Sequence, residues 1–200
     1  DRHDAGSNIR LQDKRTISTE QRYERLNQKP FVMWITGLPR SGKSTIAYEL
    51  ERTLFEQQKF VQVLDGEILR LGLNRDLGFN GADRWENQRR AAELARLNMS
   101  MGVSTVIALV SPLDFERQQA RQIIGDGFIE VFCNAPLETC EARDTHGLYK
   151  RARAGEMANV TGIDAPYEEP TKAEIVIDSA NETIETNVQQ ILSHLKDKGL

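Results

Sequence analysis

The sequence predicts one α/β domain with a parallel five-stranded sheet and helices on both faces. Short apolar runs alternate with helical stretches along the chain, which is the order of elements that builds a parallel sheet. Residues 103–110 are almost wholly apolar, which is typical of a central strand covered on both faces. Residues 37–44 form a glycine-rich loop between a predicted strand and a predicted helix.

The composition limits the classes of function. The 200 residues suffice for one domain with a substantial core. The formal net charge is -4, so the chain has no global basic field and nucleic acid is not expected as its main partner. No apolar run approaches the ~18 residues of a transmembrane helix, and the polar N-terminus lacks a signal-peptide core. We therefore expect no contact with a membrane.

The two cysteines, Cys133 and Cys140, lie in a predicted strand and a predicted helix. Two isolated cysteines form neither a disulfide framework nor a zinc site. We interpret them as reduced packing residues of a cytoplasmic protein. Because the sequence begins with Asp1 rather than Met, we expect it to begin inside a longer precursor.

The elements follow from the hydrophobic pattern and the turn residues. Residues 1–29 are polar and predict a partly flexible N-terminal arm that orders against the domain or a second subunit, and residues 30–200 predict the domain. The predicted strands are 31–35, 60–64, 103–110, 128–133 and 174–177. The predicted helices are 45–57, 82–101, 114–124, 136–142 and 183–196. Residues 143–170 are basic, punctuated by Gly and Pro, and show no clear core stripe.

The loop after the first predicted strand reads G-x-x-x-x-G-K-S, the P-loop pattern. Gly37 and Gly42 let the backbone wrap a phosphate, and the N-terminus of the next helix points at the anion. Lys43 reaches the β- and γ-phosphates, and the Ser44 hydroxyl is the predicted Mg²⁺ ligand. The alternative is a glycine turn that only resembles a P-loop. The residues of this loop predicted to bind ATP are Gly37, Leu38, Pro39, Arg40, Ser41, Gly42, Lys43, Ser44 and Thr45.

Ligands of parallel α/β sheets bind beyond the carboxyl ends of the strands. The P-loop, Asp65 and Ser111 all follow predicted strands at this edge. A carboxylate at position 65 could accept a proton from an attacking hydroxyl or hold Mg²⁺ through water. It could equally be a helix N-cap, and the spacing alone does not choose between these interpretations.

Five arginines crowd the region after Asp65, and arginine binds phosphate and sulfate with two parallel hydrogen bonds. The cluster predicts an anionic acceptor, although each arginine by itself also fits a solvated helix face. Phe79 lies among turn residues, where an aromatic ring either stacks on a base or anchors the loop. The five arginines are Arg70, Arg75, Arg84, Arg89 and Arg90.

These residues belong to a longer series of motifs that resembles the adenylylsulfate kinase (APS kinase) family, from about Asn8 to the C-terminus. The motifs are far more specific than the P-loop. They are Asp65-Gly66, Arg70, Gly-Leu-Asn-Arg-Asp-Leu-Gly-Phe at 72–79, Asp83-Arg84-x-Glu86-Asn87-x-Arg89-Arg90, Val110-Ser111-Pro112, Phe128-Ile129-Glu130-Val131-Phe132, Cys140-Glu141-Ala142-Arg143-Asp144, residues 147–156 and Thr161-Gly162-Ile163-Asp164.

The resemblance implies a P-loop kinase fold and phosphorylation of the 3′-hydroxyl of adenosine 5′-phosphosulfate (APS) by MgATP, which gives PAPS. It implies that Asp65 is the base, that Phe79 is one face of a sandwich around the APS adenine, and that Arg143 contacts the ATP adenine. Residues 144–165 resemble a mobile lid that excludes water. The implied catalytic residues are Asp65, Lys43 and Ser111. The implied substrate-binding residues are Glu67, Arg70, Phe79, Arg84, Asn87, Val110, Ser111, His146, Lys150 and Val160.

Ser111 also matches a serine that becomes phosphorylated in some members of the family. Direct in-line transfer needs no such intermediate, so we interpret Ser111 as a residue on the substrate side. The resemblance further implies a homodimer, in which Arg22 of the arm reaches the acceptor site, and makes an ATP sulfurylase a candidate partner.

The sequence departs from the family pattern near the substrate. Ile68 replaces the usual Asn, His146 replaces a Lys, and Val160 replaces the Phe expected as the second aromatic face. Pro39 and Arg40 replace small residues in the P-loop. Three hypotheses therefore stay open: an active APS kinase, a related small-molecule kinase with another nucleotide-like acceptor, and a non-catalytic paralogue that binds nucleotide.

Overall fold

The computed structural model describes residues 16–200, so residues 1–15 of the predicted N-terminal arm lie outside the described residues. The strands are β1 (Val32–Thr36), β2 (Val61–Asp65), β3 (Ser104–Ala108), β4 (Phe128–Asn134) and β5 (Ile175–Asp178). The helices are α1 (Thr19–Leu26), α2 (Lys43–Glu56), α3 (Gly66–Leu71), α4 (Gly81–Ser100), α5 (Asp114–Ile124), α6 (Leu137–Ala142), α7 (Leu148–Arg153) and α8 (Ile184–Asp197).

The five strands form one sheet in the order β2-β3-β1-β4-β5, and every pair of neighbours is parallel. The central strand β1 lies between β3 and β4. Each predicted strand corresponds to an observed one with boundaries that differ by one or two residues. The predicted five-stranded parallel α/β fold is therefore confirmed.

Alternate residues of β1 enter two different core clusters, because successive side chains of a strand point to opposite faces. Met33 and Ile35 pack with apolar residues of α2 and α8. Val32 and Trp34 pack with apolar residues of α4 and α5. All five β1 residues are fully buried, as expected for a strand of a parallel sheet with helices on both faces.

Side-chain caps define several helix starts. The Ser18 and Gln21 side chains form a capping box at the start of α1. Asn80 caps α4 by accepting the Asp83 backbone N–H, and Thr183 caps α8 in the same way. Within the described chain, no helix combines the length and the apolar character needed to cross a membrane.

The described part of the predicted arm forms α1 and contacts the domain. The Gln28 side chain donates to the carbonyls of Phe60 and Gly102, at 2.7 and 3.0 Å, and accepts the backbone N–H of Phe60. Leu26 packs so closely on Gly102 that a Cβ there would lie 2.7 Å from its Cδ1 atom. These contacts tie the start of the domain to the turn that leads into β3.

Residues 143–170 contain more apolar packing than the sequence pattern predicts. Helix α7 contributes Tyr149 and Ala152 to a third core cluster, which also contains Ala135, Cys140 and Val160. Leu38 of the P-loop packs against this cluster. The absence of a core stripe in this part of the sequence does not exclude a core, because its apolar residues are spread over a short helix and irregular backbone and form no single periodic pattern.

A buried ion pair joins α5 to the sheet. The Arg117 Nε atom lies 2.8 Å from Oε1 of Glu130 on β4, and the two side chains are 0% and 2% exposed. Arg121 contacts the other Glu130 oxygen at 3.4 Å. Burial raises the pKa of Glu130, and the two arginines oppose this shift. Because neither charge is near water, each depends on the other for its solvation.

The Arg117→Ala substitution should lower the free energy of unfolding by about 3–5 kcal/mol, because it leaves the Glu130 carboxylate buried with one weak partner. Chemical denaturation monitored by circular dichroism measures this loss.

Arg52→Ala is the matched control. Arg52 bonds Glu49 and Glu56 on the surface of α2, where its side chain is 58% exposed. An exposed pair of this kind is worth about 1 kcal/mol or less. Equal losses in the two variants would contradict the assigned importance of the buried pair.

Candidate functional site

The sheet order brings three loops together at the carboxyl edge. Asp65 on β2 and Ile35 on β1 both pair in register with Ala108, the last residue of β3. The P-loop after β1, the Asp65 carboxylate and the loop after β3 are therefore lateral neighbours. The Gly37 N–H points at the Val110 carbonyl oxygen, 3.5 Å away. The predicted convergence of Asp65, Ser111 and the P-loop is present in the structure.

The P-loop has the backbone geometry of an anion cradle. Gly37 has a φ of 155°, and a Cβ there would lie 2.6 Å from the Cys133 carbonyl oxygen. Gly42 has a φ of 103° and begins α2 without a side-chain cap. The first N–H groups of α2 therefore have no side-chain acceptor, which is the arrangement that favours a phosphate at a helix N-terminus.

Lys43 is the buried cation of this loop. Its ammonium group donates to the Leu38 carbonyl at 2.7 Å and lies 3.4 Å from the Ser41 hydroxyl. Burial lowers the pKa of Lys43 to about 8. Neutral oxygens thus surround a charge that an anion would stabilise further. The neighbouring Ser44 is exposed in the first turn of α2.

Residues from distant parts of the chain donate hydrogen bonds to the backbone carbonyls of the P-loop. The Ser41 carbonyl accepts hydrogen bonds from Cys133 Sγ at 3.2 Å, from the Ser179 hydroxyl and from Arg143 Nη1 at 3.4 Å. Arg143 also donates to the Ser179 carbonyl at 2.6 Å. The Tyr149 hydroxyl donates to the carbonyl of Pro39 at 2.7 Å.

Sequence reasoning missed Cys133, Ser179 and Tyr149 as supports of the P-loop. For the first two a signal was available. Cys133 and Ser179 both lie at carboxyl ends of strands, where the loops of a parallel sheet converge. Tyr149 carries no such signal, because it lies in a helix that was not predicted.

Asp65 caps a helix and also keeps a second oxygen for other partners. Its Oδ1 atom accepts the backbone N–H groups of Glu67 and Ile68, at 3.0 and 2.9 Å. Its Oδ2 atom accepts the Tyr48 hydroxyl at 3.0 Å. The N-cap interpretation is correct. Because the cap engages Oδ1 alone, Oδ2 still has a lone pair for a substrate hydroxyl.

Ser111 is held inside the core. Its hydroxyl accepts the indole N–H of Trp34 at 2.9 Å, and the residue is 2% exposed. Its carbonyl accepts a hydrogen bond from Arg117 at 2.8 Å, and its φ is 44°. In this conformation the hydroxyl is not accessible to a phosphoryl donor. Val110 beside it is partly exposed, and its carbonyl accepts the Thr36 hydroxyl at 2.7 Å.

Arg70 and Phe79 form one unit, and Arg70 lies in the last turn of α3, the helix that Asp65 caps. The guanidinium carbon lies 4.1 Å from the ring centroid, and Arg70 also donates to the carbonyls of Leu77 and Gly78, at 3.2 and 2.9 Å. Phe79 is 65% exposed, so one side of its ring is available for stacking. Both residues are predicted to bind the acceptor, and the structure brings them into contact with each other.

Arg75 is exposed, and the other three arginines of the cluster separate into two groups. Arg84 donates to the Phe79 carbonyl at 2.8 Å and bonds Asn159 and Thr161 of the predicted lid segment. Arg89 and Arg90 bond Glu86 on their own helix, and the Arg89 hydrogen bond is the main cause that lowers the Glu86 pKa to about 2. For Arg89 and Arg90 the helix-face interpretation is correct.

The remaining residues predicted for the acceptor site differ in their burial. Glu67, His146 and Lys150 are exposed. Asn87 is buried, and its side-chain oxygen accepts the Asn74 amide at 2.9 Å. Val160 is 5% exposed and lies in the third core cluster. An aromatic ring at position 160 would therefore have to enter a packed cluster. In this conformation, a Phe at position 160 would not simply supply the second stacking face for the acceptor adenine.

Residues 162–167 and Glu169 border a cavity of about 500 Å³ beside the P-loop. Leu38 and Leu137 form its apolar side, and Asp164 and Glu169 contribute carboxylates. Among residues 16–200, no group of three or more His, Cys, Asp or Glu side chains is arranged to hold a metal ion.

Comparison with known proteins places this geometry in a family. A family model described as Adenylylsulphate kinase matches residues 29–178. An adenylyl-sulfate kinase of Clostridium acetobutylicum is 46% identical over 180 residues, which cover 90% of each chain. An adenylyl-sulfate kinase of Pseudomonas aeruginosa is 46% identical over 190 residues, which cover 94% of this chain and 97% of the relative.

Solved structures show the same relationship. The Mycobacterium tuberculosis APS kinase in complex with AMPPNP and APS has a TM-score of 0.81 and 42% sequence identity, and the match covers 84% of this chain and 99% of that chain. A gluconokinase from Sinorhizobium meliloti has a TM-score of 0.61 at 15% identity, covers 86% of this chain and 94% of its own, and shares the fold alone.

Binding of AMPPNP near pH 8.5 should take up protons, because phosphate oxygens favour the charged form of Lys43 and raise its pKa from about 8. For the same reason, the affinity should fall as the pH rises through this range. Calorimetry in two buffers with different ionisation enthalpies measures the uptake. Lys43→Met is the control, and uptake that persists in this variant would contradict the assignment.

Val160→Phe should lower the free energy of unfolding by about 1–3 kcal/mol, because the larger ring overfills the third core cluster. Thermal denaturation and APS affinity should be measured on the same preparation. An affinity for APS that rises about two- to tenfold without loss of stability would show instead that position 160 faces the acceptor.

Proposed function

This chain belongs to the adenylylsulphate kinase family, and from that premise we propose that it transfers the γ-phosphoryl group of ATP to the 3′-hydroxyl of APS. The product is 3′-phosphoadenosine 5′-phosphosulfate (PAPS). One observation carries the proposal: a P-loop with a buried lysine, an aspartate with one free oxygen lone pair and an arginine–phenylalanine pair surround one edge of the sheet.

The ATP phosphates would lie against the uncapped N-terminus of α2, with the Lys43 ammonium on the transferring group. A fixed positive charge at this point stabilises charge that develops in the transition state. The exposed Ser44 hydroxyl fits the role of Mg²⁺ ligand. When bound, Mg²⁺ neutralises phosphate charge. Residues 37–45 form the proposed ATP site, together with Arg143 for the adenine.

Asp65 is the proposed general base. Its cap at Oδ1 fixes the plane of the carboxylate, and Oδ2 can accept the proton of the 3′-hydroxyl. Asp65 is 7% exposed in total, so the substrate hydroxyl would meet a carboxylate with little competition from water. The capping role and the catalytic role are thus compatible in one side chain.

Arg70, Phe79 and Arg84 are the proposed core of the acceptor site. The ring of Phe79 would stack on the APS adenine, and the two guanidinium groups would neutralise the phosphosulfate. Ser111 supports this site through its loop, and its buried hydroxyl favours a structural role over a phosphoenzyme role. The other residues proposed for the acceptor side are Glu67, Asn87, Val110, His146 and Lys150, and Val160 is proposed to act on this site only through its packing in the third core cluster.

Residues 144–165 are the proposed lid. The Arg84 contacts to Asn159 and Thr161 link this segment to the loop that carries Phe79, so that one residue connects acceptor site and lid. The Tyr149 contact with Pro39 links the same segment to the P-loop. A lid joined to both sites could close over both nucleotides and exclude water during transfer.

A different nucleotide-like acceptor is the second candidate function. Ile68 is 49% exposed beside the Asp65 carboxylate, and an apolar side chain at this point favours a substrate with fewer polar groups near the attacking hydroxyl. The retained Asp65 and Lys43 argue against a non-catalytic role.

We also propose that the protein forms a homodimer and that it is located in the cytoplasm. The family resemblance supports a homodimer and an ATP sulfurylase as a candidate partner, while a similar APS kinase from Thiobacillus denitrificans is hexameric. Two buried, unpaired cysteines suit the reducing conditions of the cytoplasm.

A coupled assay of ADP release with APS and MgATP should detect turnover, and Asp65→Asn should lower it by about 10²-fold or more, because the amide cannot accept a proton. Asn caps a helix as well as Asp does, so the thermal stability of the variant should stay near that of the wild type.

The wild-type assay repeated with other nucleotides that carry a 3′-hydroxyl identifies the acceptor. Turnover with such a nucleotide but not with APS would overturn the proposed substrate. Near-normal turnover of Asp65→Asn would leave Asp65 as a cap alone.

A further inference from the structure

Tyr48 lies beside the proposed base without belonging to the P-loop or to the acceptor residues. It follows Ser44 by four residues on α2, and this spacing places the two side chains on the same helix face. Its hydroxyl donates to Asp65 Oδ2 at 3.0 Å. The helix that presents the phosphate-binding N-terminus thus also contacts the catalytic carboxylate.

We propose that Tyr48 is a positioning residue that holds Oδ2 of Asp65 where it can accept the proton of the acceptor hydroxyl as that hydroxyl attacks the γ-phosphate, an inference that rests on the proposed role of Asp65 as base. Three hydrogen bonds then fix the carboxylate: two backbone N–H groups hold Oδ1 and one phenol holds Oδ2. A carboxylate oxygen has two lone pairs, so Oδ2 accepts the phenol and the substrate hydroxyl together.

The side chains of Ile68, Ala108 and Leu109 cannot donate the hydrogen bond that Tyr48 gives to Asp65. Ile68 follows Asp65 by one helical turn and carries no polar group in its side chain. On the β3 side, Ala108 pairs in register with Asp65, and Leu109 lies against Gly66. Among residues 16–200, the Tyr48 hydroxyl is the side-chain group that donates to the Asp65 carboxylate.

Tyr48 remains a donor throughout the working pH range. Burial, and then the hydrogen bond to Asp65, raise the pKa of Tyr48 to about 12. Glu51 on α2 and Glu67 on α3 are the other charged groups that act on it, and both raise its pKa further. The phenol therefore keeps its proton and cannot itself act as the base.

The hydrogen bond has a definite effect on turnover. Without the phenol, Oδ2 of Asp65 loses the side-chain contact that fixes its direction, so the base meets the substrate hydroxyl less often in the productive orientation. The loss should fall on kcat rather than on substrate binding, because the proposed contacts to ATP and APS do not use the phenol.

Tyr48→Phe removes only the phenol oxygen. The value of kcat should fall about three- to tenfold, because the carboxylate loses one of the three hydrogen bonds that fix its orientation. The KM values for ATP and APS should change by less than about twofold.

Tyr23→Phe is the matched control, since it removes the same atom from α1. Its kcat and KM values should coincide with those of the wild type. In the Asp65→Asn background, Tyr48→Phe should have no further effect on kcat, because the carboxylate on which it acts is gone.

Two results would overturn the proposal. One is an unchanged kcat in Tyr48→Phe. The other is a loss of kcat that persists when Tyr48→Phe is added to Asp65→Asn, together with lower thermal stability, which would show a purely structural contact. Failure of the proposed function gives a different pattern, namely a wild-type protein without turnover of APS or an Asp65→Asn variant with normal turnover.

Discussion

The close approach of the P-loop to the end of β4 is the constraint on which the other features of the site depend. A Cβ at position 37 would lie 2.6 Å from the Cys133 carbonyl, so only glycine lets the chain turn there. This turn brings Ser41 close to Cys133, and the Ser41 carbonyl accepts a hydrogen bond from the Cys133 thiol. It also begins α2 at Lys43. The direction of that helix then sets the positions of the ammonium group, of the Ser44 hydroxyl and, one turn later, of Tyr48.

Two buried cationic side chains of this domain have opposite environments. Arg117 faces the Glu130 carboxylate at 2.8 Å, so its charge is neutralised within the core. Lys43 faces the Leu38 carbonyl and the Ser41 hydroxyl, which are neutral, and burial lowers its pKa to about 8. A paired charge stabilises the connection between α5 and the sheet. A charge with only neutral partners is prepared to bind an anion, at a cost to the stability of the free protein.

The acceptor side combines residues of the family pattern with three departures from it, and burial separates these departures. Ile68 and His146 are exposed, so they can meet a ligand directly. Val160 is 5% exposed inside the third core cluster, where it acts first on packing. A change of acceptor preference would therefore arise at Ile68 or His146, while position 160 influences how the segment 144–165 lies on Leu38 of the P-loop.

The sequence by itself determined the parallel α/β fold, the strands to within one or two residues, the P-loop and the convergence of Asp65, Ser111 and the P-loop at one edge. These features follow from periodicity and from motifs of consecutive residues, which are local signals. Only the tertiary structure decided the contacts of Ser41 with Cys133 and Ser179, the burial of Ser111 beneath Trp34, the third core cluster and the Tyr48–Asp65 hydrogen bond. Such contacts join residues that are distant in the chain, and their existence depends on strand order and side-chain direction, which no local pattern encodes.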